Sequence, residues 1–321
     1  MPAVPTRKLR AAVVGVGYLG QFHAEKLAAA PGVELVAVVD ADPARAKSVA
    51  AKLGCAAHDD PRALAGAVDL VCVAVPTPRH RDVALPFLEA GVHVLVEKPI
   101  ATTLAEADAL IAAAKKGGAL LAVGHLQRFN PAFRALSAAL GRPLYIECER
   151  LAGFKQRGID VDVVLDLMIH DLDLVLSMAR SELAHVSACG FHVLTDSIDI
   201  ASVRLEFADG CVANLSASRV SQQPVRKLRV FQADGYASAD LQAGKLRLVR
   251  RDARGGGIAE VESSYDDRDE LRAEVLDFVE AARGGGAPLV GGEDGRQALA
   301  LALEVGRLVR ARLERFQAVQ P

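Results

Sequence analysis

The sequence predicts an α/β chain in two parts: a doubly wound parallel sheet over residues 1–124, then an α+β domain over 125–321 with a large, mostly antiparallel open sheet. Three observations carry this. Short apolar runs alternate with helix-period segments up to residue 124, the alternation gives way to two-sided strands after Asn130-Pro131, and 321 residues suffice for two cores.

The runs LRAAVVGVG, VELVAVVD, VDLVCVAV, VHVLVEK and ALLAVGH are nearly continuous in apolar residues, as strands covered on both faces require. Between them, 18–30, 43–53, 79–90 and 103–116 have helical spacing, with Gly32, Gly54, Gly91 and Gly117 just past their ends. Past residue 130, a buried-type helix around VLDLMIHDLDLVL (164–176) precedes IASVRLEF, a turn at Ala208-Asp209-Gly210, and CVANLSASRV, which read as an antiparallel hairpin. Further strands are expected near 225–232 and 245–250. From 268 the tail is helical, interrupted by glycines at 284–286, and Arg254 to Gly257 reads as a turn.

Composition narrows the function. The net charge is −2, from 38 Lys+Arg against 40 Asp+Glu, so no basic field exists to hold a nucleic acid. The five cysteines stand far apart, with neither C-x-x-C nor zinc-ligand spacing, so no metal site is expected and they fit a reducing cytoplasm. The apolar start reads as a strand rather than a signal peptide, and no apolar run approaches the ~18 residues that span a bilayer.

Gly15-Val16-Gly17-Tyr18-Leu19-Gly20 matches G-x-G-x-x-G between a predicted strand and helix. In a Rossmann domain the first glycine makes the turn, the second lets a pyrophosphate approach the backbone, and the third allows close helix-strand packing. Asp40 closes the second strand, where a carboxylate takes hydrogen bonds from ribose hydroxyls. Asp42 follows, and no Lys or Arg appears before Arg45, so NAD is expected over NADP. Glu97-Lys98-Pro99 ends the strand VHVLVEK, at the carboxyl edge where open α/β sheets bind ligands, and Pro99 permits a cis bond that would aim Lys98.

On a helix through 162–177, Asp162, Asp166, His170, Asp173 and Ser177 would share one polar stripe, with Asp171 elsewhere. Periodicity alone leaves a solvent-facing amphipathic helix equally open. The stripe lacks Lys, Glu and Arg, however, and Asp166 to His170 has the spacing at which a carboxylate orients an imidazole. Asp162, Asp171 and Asp173 read as structural.

VGVGYLGQFHAEKL, VAVPTPRHRDVALPFLEAGVHVLVEKPIA, VGHLQRFNPAF, LDLMIHDLDL and PLVGGEDGRQALALALEV together resemble the glucose-fructose oxidoreductase and inositol dehydrogenase family (Gfo/Idh/MocA) over essentially the whole chain. The resemblance implies an NAD(P)-dependent oxidoreductase acting on sugars, cyclitols or nucleotide sugars. Its implied catalytic residues are Lys98, Asp166 and His170; its implied cofactor contacts are Gly15, Gly17, Tyr18, Leu19, Gly20, Asp40, Pro76, Thr77, His80, Glu97 and Lys98. His170 would take the alcohol proton, Asp166 would hold its tautomer, Lys98 would hydrogen-bond the alcohol oxygen, and NAD would take the hydride.

VVLDLMIHDLDLVLSM with GHLQRFNPAF resembles the branch of that family containing UDP-N-acetylglucosamine 3-dehydrogenases, which implies oxidation at C3 of that sugar nucleotide. A diphosphate needs cations: Arg128, Arg150, Arg157 and Arg219 are candidates, Arg128 and Arg157 foremost, with Asn130 and His170 also expected at the substrate. A free-sugar or inositol dehydrogenase, and a non-catalytic NAD-binding regulator, remain alternatives. Relatives pair through the open sheet, so a homodimer or homotetramer is implied, with no nucleic-acid or membrane partner.

Overall fold

The computed structural model describes residues 7–154, 161–252, 256–266 and 268–319. They fall into two compact units, the first comprising residues 1–126 with 269–296 and the second 127–268 with 297–321.

The first unit holds β1 (Leu9–Val14), α1 (Tyr18–Ala29), β2 (Val33–Val39), α2 (Pro43–Leu53), β3 (Ala56–His58), β4 (Leu70–Val73), α3 (His80–Glu89), β5 (His93–Glu97), α4 (Leu104–Gly117) and β6 (Leu121–Gly124). The strands form one parallel sheet in the order β3-β2-β1-β4-β5-β6, the doubly wound order whose switch point lies between β1 and β4. All five expected strands are present; β3, three residues long, was too short for its pattern to register. Helix ends follow local chemistry. Asp42 caps α2 by accepting from the amides of Ala44 (3.0 Å) and Arg45 (3.2 Å), and Gly54 closes it in the left-handed conformation. Thr103 and Glu106 form a capping box on α4, whose left-handed cap is Gly118, one residue beyond the expected Gly117.

The second unit begins with α5 (Pro131–Ala139), capped by Asn130, and β7 (Tyr145–Leu151), followed by α6 (Ile169–Ala179) and β8 (Leu183–Phe191). Then come β9 (Ile200–Phe207), β10 (Val212–Ser218), β11 (Val225–Gln232), β12 (Gly235–Asp240), β13 (Lys245–Arg251) and β14 (Ile258–Ser264). The expected hairpin is β9–β10, paired antiparallel from Ile200 against Ser218 to Glu206 against Val212. The eight strands order β14-β13-β12-β11-β7-β10-β9-β8, antiparallel except for β7 beside β10. Ile146, Cys148, Leu205, Leu215, Leu228 and Val230 point from this sheet into a core shared with Leu172, Val175 and Val305. Tyr145, Phe231 and Tyr236 follow one another across the other face, the first pair tilted and the second stacked, with ring centroids 5.8 and 5.6 Å apart. The turn expected at 254–257 lies partly outside the described residues.

α7 (Glu270–Glu280) and the start of α8 (Gly292–Val319) return to the first unit. Val275, Phe278 and Val279 enter its core beside Ala24 and Leu27, and the Val123 amide donates to Val290 O at 3.1 Å, extending the β6 edge. The expectation that everything beyond 124 forms one domain is thereby corrected. The apolar stripe of α7 needs a covered face, and α1 supplies it; chain order cannot reveal that pairing.

Candidate active site

The glycine loop has the geometry a dinucleotide needs. Gly15 has φ +87°, and a Cβ there would lie 2.7 Å from Ala74 O. A Cβ at Gly20 would meet Gly15 O at 1.7 Å, so this glycine brings α1 against β1. At Gly17 a Cβ would have nothing within 4 Å: the middle glycine faces open space and leaves bare backbone for an incoming group. Gly17 caps α1 without a side-chain hydrogen bond, and the first turn, which includes Tyr18 and Leu19, carries no acidic residue. The positive end of the helix is therefore offered to an anion.

Asp40, buried at the end of β2, accepts from the amides of Val16 and Asp42, both at 2.9 Å. The carboxylate is thereby held beside the glycine loop. Arg45 Nη1 lies 3.2 and 3.4 Å from its two oxygens, so the arginine that sequence spacing sets apart is folded back onto Asp40. Asp40 and the three glycines together fit a nicotinamide dinucleotide.

Beyond β4, Pro76 and Thr77 open a 3-10 turn, Thr77–Arg79. His80 does not extend this surface. It is buried, with Nδ1 3.0 Å from Pro99 O and Nε2 2.9 Å from Val75 O, so the neutral ring donates to one of two backbone carbonyls and its polar atoms face backbone rather than the expected cofactor. Burial pushes its imidazole below the ordinary range, against the pull of those carbonyls. The ring instead ties the loop after β4 to the one after β5.

Glu97, Lys98 and Pro99 end β5, and the Lys98–Pro99 peptide is cis. Glu97 also turns inward: Oε1 is 2.7 Å from His23 Nε2, and Oε2 accepts the Lys98 amide at 3.3 Å. Burial pushes the Glu97 carboxyl up, but the His23 hydrogen bond and charge, with the Lys98 ammonium, outweigh burial and hold it below the usual carboxylate range. His23 was missed because histidine inside an amphipathic helix carries no sequence signal of its partner.

In the second unit, Asp166 sits in a wide π turn, Val164–Met168, that leads into α6 with His170 in its first turn. Such turns recur at functional sites. Asp162 starts the turn, accepting from Val164 and Leu165 amides at 3.1 and 3.0 Å. The neighbouring aspartates have structural partners: Asp171 forms two hydrogen bonds to Arg150, at 2.8 and 2.6 Å, and Asp173 accepts from Arg128 Nε at 2.9 Å. Arg150 is buried in that pair and is removed from the candidate phosphate anchors. Arg219 is also buried, donating to Val161 O, with Asp199 3.8 Å away. Asn130 is fully buried, accepts from Ala132 (3.0 Å) and Phe133 (3.3 Å) and donates to Leu241 O (3.1 Å). It is a helix cap rather than a substrate contact. Arg157 lies outside the described residues. Among the described residues no cluster of His, Cys, Asp and Glu forms a metal site.

Both parts of the chain match known proteins. Residues 9–125 match the Gfo/Idh/MocA oxidoreductase family, NAD-binding Rossmann fold, and 135–238 match the GFO/IDH/MocA C-terminal domain. UDP-N-acetylglucosamine 3-dehydrogenase of Acidithiobacillus ferrooxidans is 43% identical over 314 residues, covering 96% of this chain and 99% of its own. A solved structure of that dehydrogenase superposes with TM-score 0.89, at 42% identity, covering 95% of this chain and 99% of that one. Myo-inositol 2-dehydrogenase of Thermotoga maritima is 30% identical, with 91% of this chain and 94% of its own covered.

Proposed function

Because the chain belongs to the Gfo/Idh/MocA family of NAD-binding oxidoreductases, we propose that it oxidises a secondary alcohol of a nucleotide sugar, UDP-N-acetylglucosamine at C3. The observation that carries the substrate is the 43% identity to the Acidithiobacillus 3-dehydrogenase along 96% of the chain, against 30% to the inositol enzyme.

The chemistry asks three things of the chain. A hydroxyl at neutral pH is too weak an acid to lose its proton unaided, so a base must take it; His170 is that base. Asp166, one turn earlier, orients the imidazole and stabilises its cation. Negative charge then grows on the alcohol oxygen, and the Lys98 ammonium stabilises it by hydrogen bond and charge. NAD, when bound, accepts the hydride. Gly15, Gly17, Tyr18, Leu19, Gly20 and Asp40 hold the dinucleotide, with Pro76 and Thr77 bordering it. Arg128 remains the described candidate for the diphosphate, where it would have to share its guanidinium with Asp173.

NADH formation across UDP-N-acetylglucosamine, other UDP-sugars, glucose and myo-inositol tests the substrate; turnover of inositol or glucose without any UDP-sugar sinks it. His170→Ala and Lys98→Met should each lower turnover by about 10²- to 10⁴-fold with NAD affinity nearly kept. Full turnover in either removes that residue's role.

The protein is taken to be cytoplasmic and to pair with a second copy through the open sheet face. Free cysteines and the absence of any membrane-length apolar helix among the described residues support the first. The aromatic row Tyr145, Phe231 and Tyr236 supports the second, and light scattering on the purified protein decides it.

A further inference from the structure

Helix α7 carries an acidic side chain where its packing leaves no room for a charge. Glu274 is 2% exposed, on the same stripe as Phe278 one turn later, and neither carboxyl oxygen has a hydrogen-bond partner among the described residues. Its strongest charged neighbour is Glu97, the glutamate preceding Lys98. Cys72 in β4 feels both carboxyls. The interior of the first unit thus holds two acidic groups where one net negative charge is already costly.

We infer that Glu274 is a positioning residue for the Glu97–Lys98 end of β5, acting through Glu97. Two neighbouring buried carboxyls cannot both ionise cheaply, so one keeps its proton. Glu97 has partners for its charge, His23 Nε2 at 2.7 Å, the Lys98 amide at 3.3 Å and the Lys98 ammonium beyond it, whereas neither Glu274 oxygen has a hydrogen-bond partner among the described residues. Glu274 is therefore the acid and Glu97 the anion. Burial, then the charges of Glu97 and Asp277, push Glu274 well above the ordinary carboxylate range. In this state Glu97 is free to hold His23 through one oxygen and the Lys98 amide through the other. Ionising Glu274, with its proton lost to solvent, would set a second negative charge behind Glu97, and the repulsion would push the Glu97 carboxylate away and loosen its hold on the Lys98 amide.

The charged groups that act on Glu274 are Glu97 on β5 and Asp277 on α7; Cys72 on β4 lies in the field of Glu274 and Glu97, His23 on α1 sits against Glu97, and α7 and its cap further carry Asp269, Glu270, Arg272 and Glu280. Lys26 is bound to Asp269 at 2.7 Å, and Arg283 donates to Pro31 O. Burial pushes the Cys72 thiol up as well.

The reading rests on Lys98 serving the reaction and is tested apart from it. Glu274→Gln keeps size and neutrality; its kcat at pH 7 should lie within about twofold of wild type, with NAD affinity unchanged. The alkaline fall of kcat in the wild type should move up by about one pH unit or more in E274Q. Infrared spectra of the wild type near pH 7 should show a protonated carboxyl band that disappears in E274Q and, in the wild type, at alkaline pH. Coincident pH profiles, or no such band, overturn the inference. If E274Q does not fold, Glu274→Met carries the same comparison, and the wild-type infrared titration decides alone. Normal turnover of Lys98→Met would instead overturn the role of Lys98, leaving the infrared result to judge the protonation of Glu274.

Discussion

The Arg150–Asp171 pair offers a sharp test of how α6 is held. Both side chains are almost wholly buried, Nε to Oδ2 is 2.8 Å and Nη2 to Oδ1 is 2.6 Å, and Asp171 directly follows His170. Burial alone would push the guanidinium down, but the Asp171 charge and hydrogen bonds hold it above its ordinary value. Arginine cannot shed its proton to escape. Asp171→Asn therefore leaves a cation in the apolar core of the second unit, a cost of about 3–5 kcal/mol. At roughly 2–4 °C per kcal/mol for a unit of this size, its thermal midpoint should fall by on the order of 10 °C. Replacing both partners, Arg150→Met with Asp171→Leu, removes the charge and its counterion together and should return stability to within about 2 kcal/mol of wild type. Calorimetry and urea unfolding followed by circular dichroism suit the measurement, since the chain has no tryptophan to report by fluorescence. A loss below about 1 kcal/mol in the single variant, or a double variant no better than the single, would show that the pair does not hold the helix.

The glycine loop separates folding from binding: Gly20→Ala should fail to fold or lose several kcal/mol, its Cβ being 1.7 Å from Gly15 O, whereas Gly17→Ala should melt like wild type yet bind NAD at least about tenfold more weakly by calorimetric titration. Asp199 is buried, which raises its carboxyl, but the Val193, Leu194 and Thr195 amides and the Thr195 hydroxyl hold it down to about 2. Its folded value lies below the unfolded one, so its stabilisation is present above about pH 4 and lost as pH falls through about 2; Asp199→Asn should cost roughly 1–2 kcal/mol at pH 7 and flatten that acid limb in urea titrations. Asp40→Ser should free Arg45 for a 2′-phosphate and shift the kcat/KM ratio toward NADP by more than tenfold; an unchanged ratio would mean that the pairing at 3.2 Å does not govern cofactor choice.

The parallel sheet was legible because buried strands and their intervening helices each leave a periodic trace, and the glycine fingerprint because steric demand maps onto single residues. Asp171 and Asp173 were read as structural, but their partners, Arg150 and Arg128, were read as phosphate anchors. An arginine looks the same in sequence whether it awaits a ligand or already neutralises a buried carboxylate. His80 and Asn130 misled for a related reason: polar residues beside a motif are as useful for fixing loops as for touching ligands. Glu274 had a faint signal, a charged residue four positions before Phe278 on the apolar side of EVLDFVE, but its neighbour Glu97 is 177 residues away and comes close only in the fold.

The return of residues 269–296 to the first unit bears on how the protein comes into being on the ribosome. The nascent strands β1 to β6 are made long before α7, the helix that covers α1 and brings Val275 and Phe278 into their core. At about 5–20 residues per second, that half-built domain waits roughly 7–30 s for its last piece. A fragment ending near residue 126 should thus be sticky and poorly folded, and a partner tag or fusion is better appended than inserted between the two units.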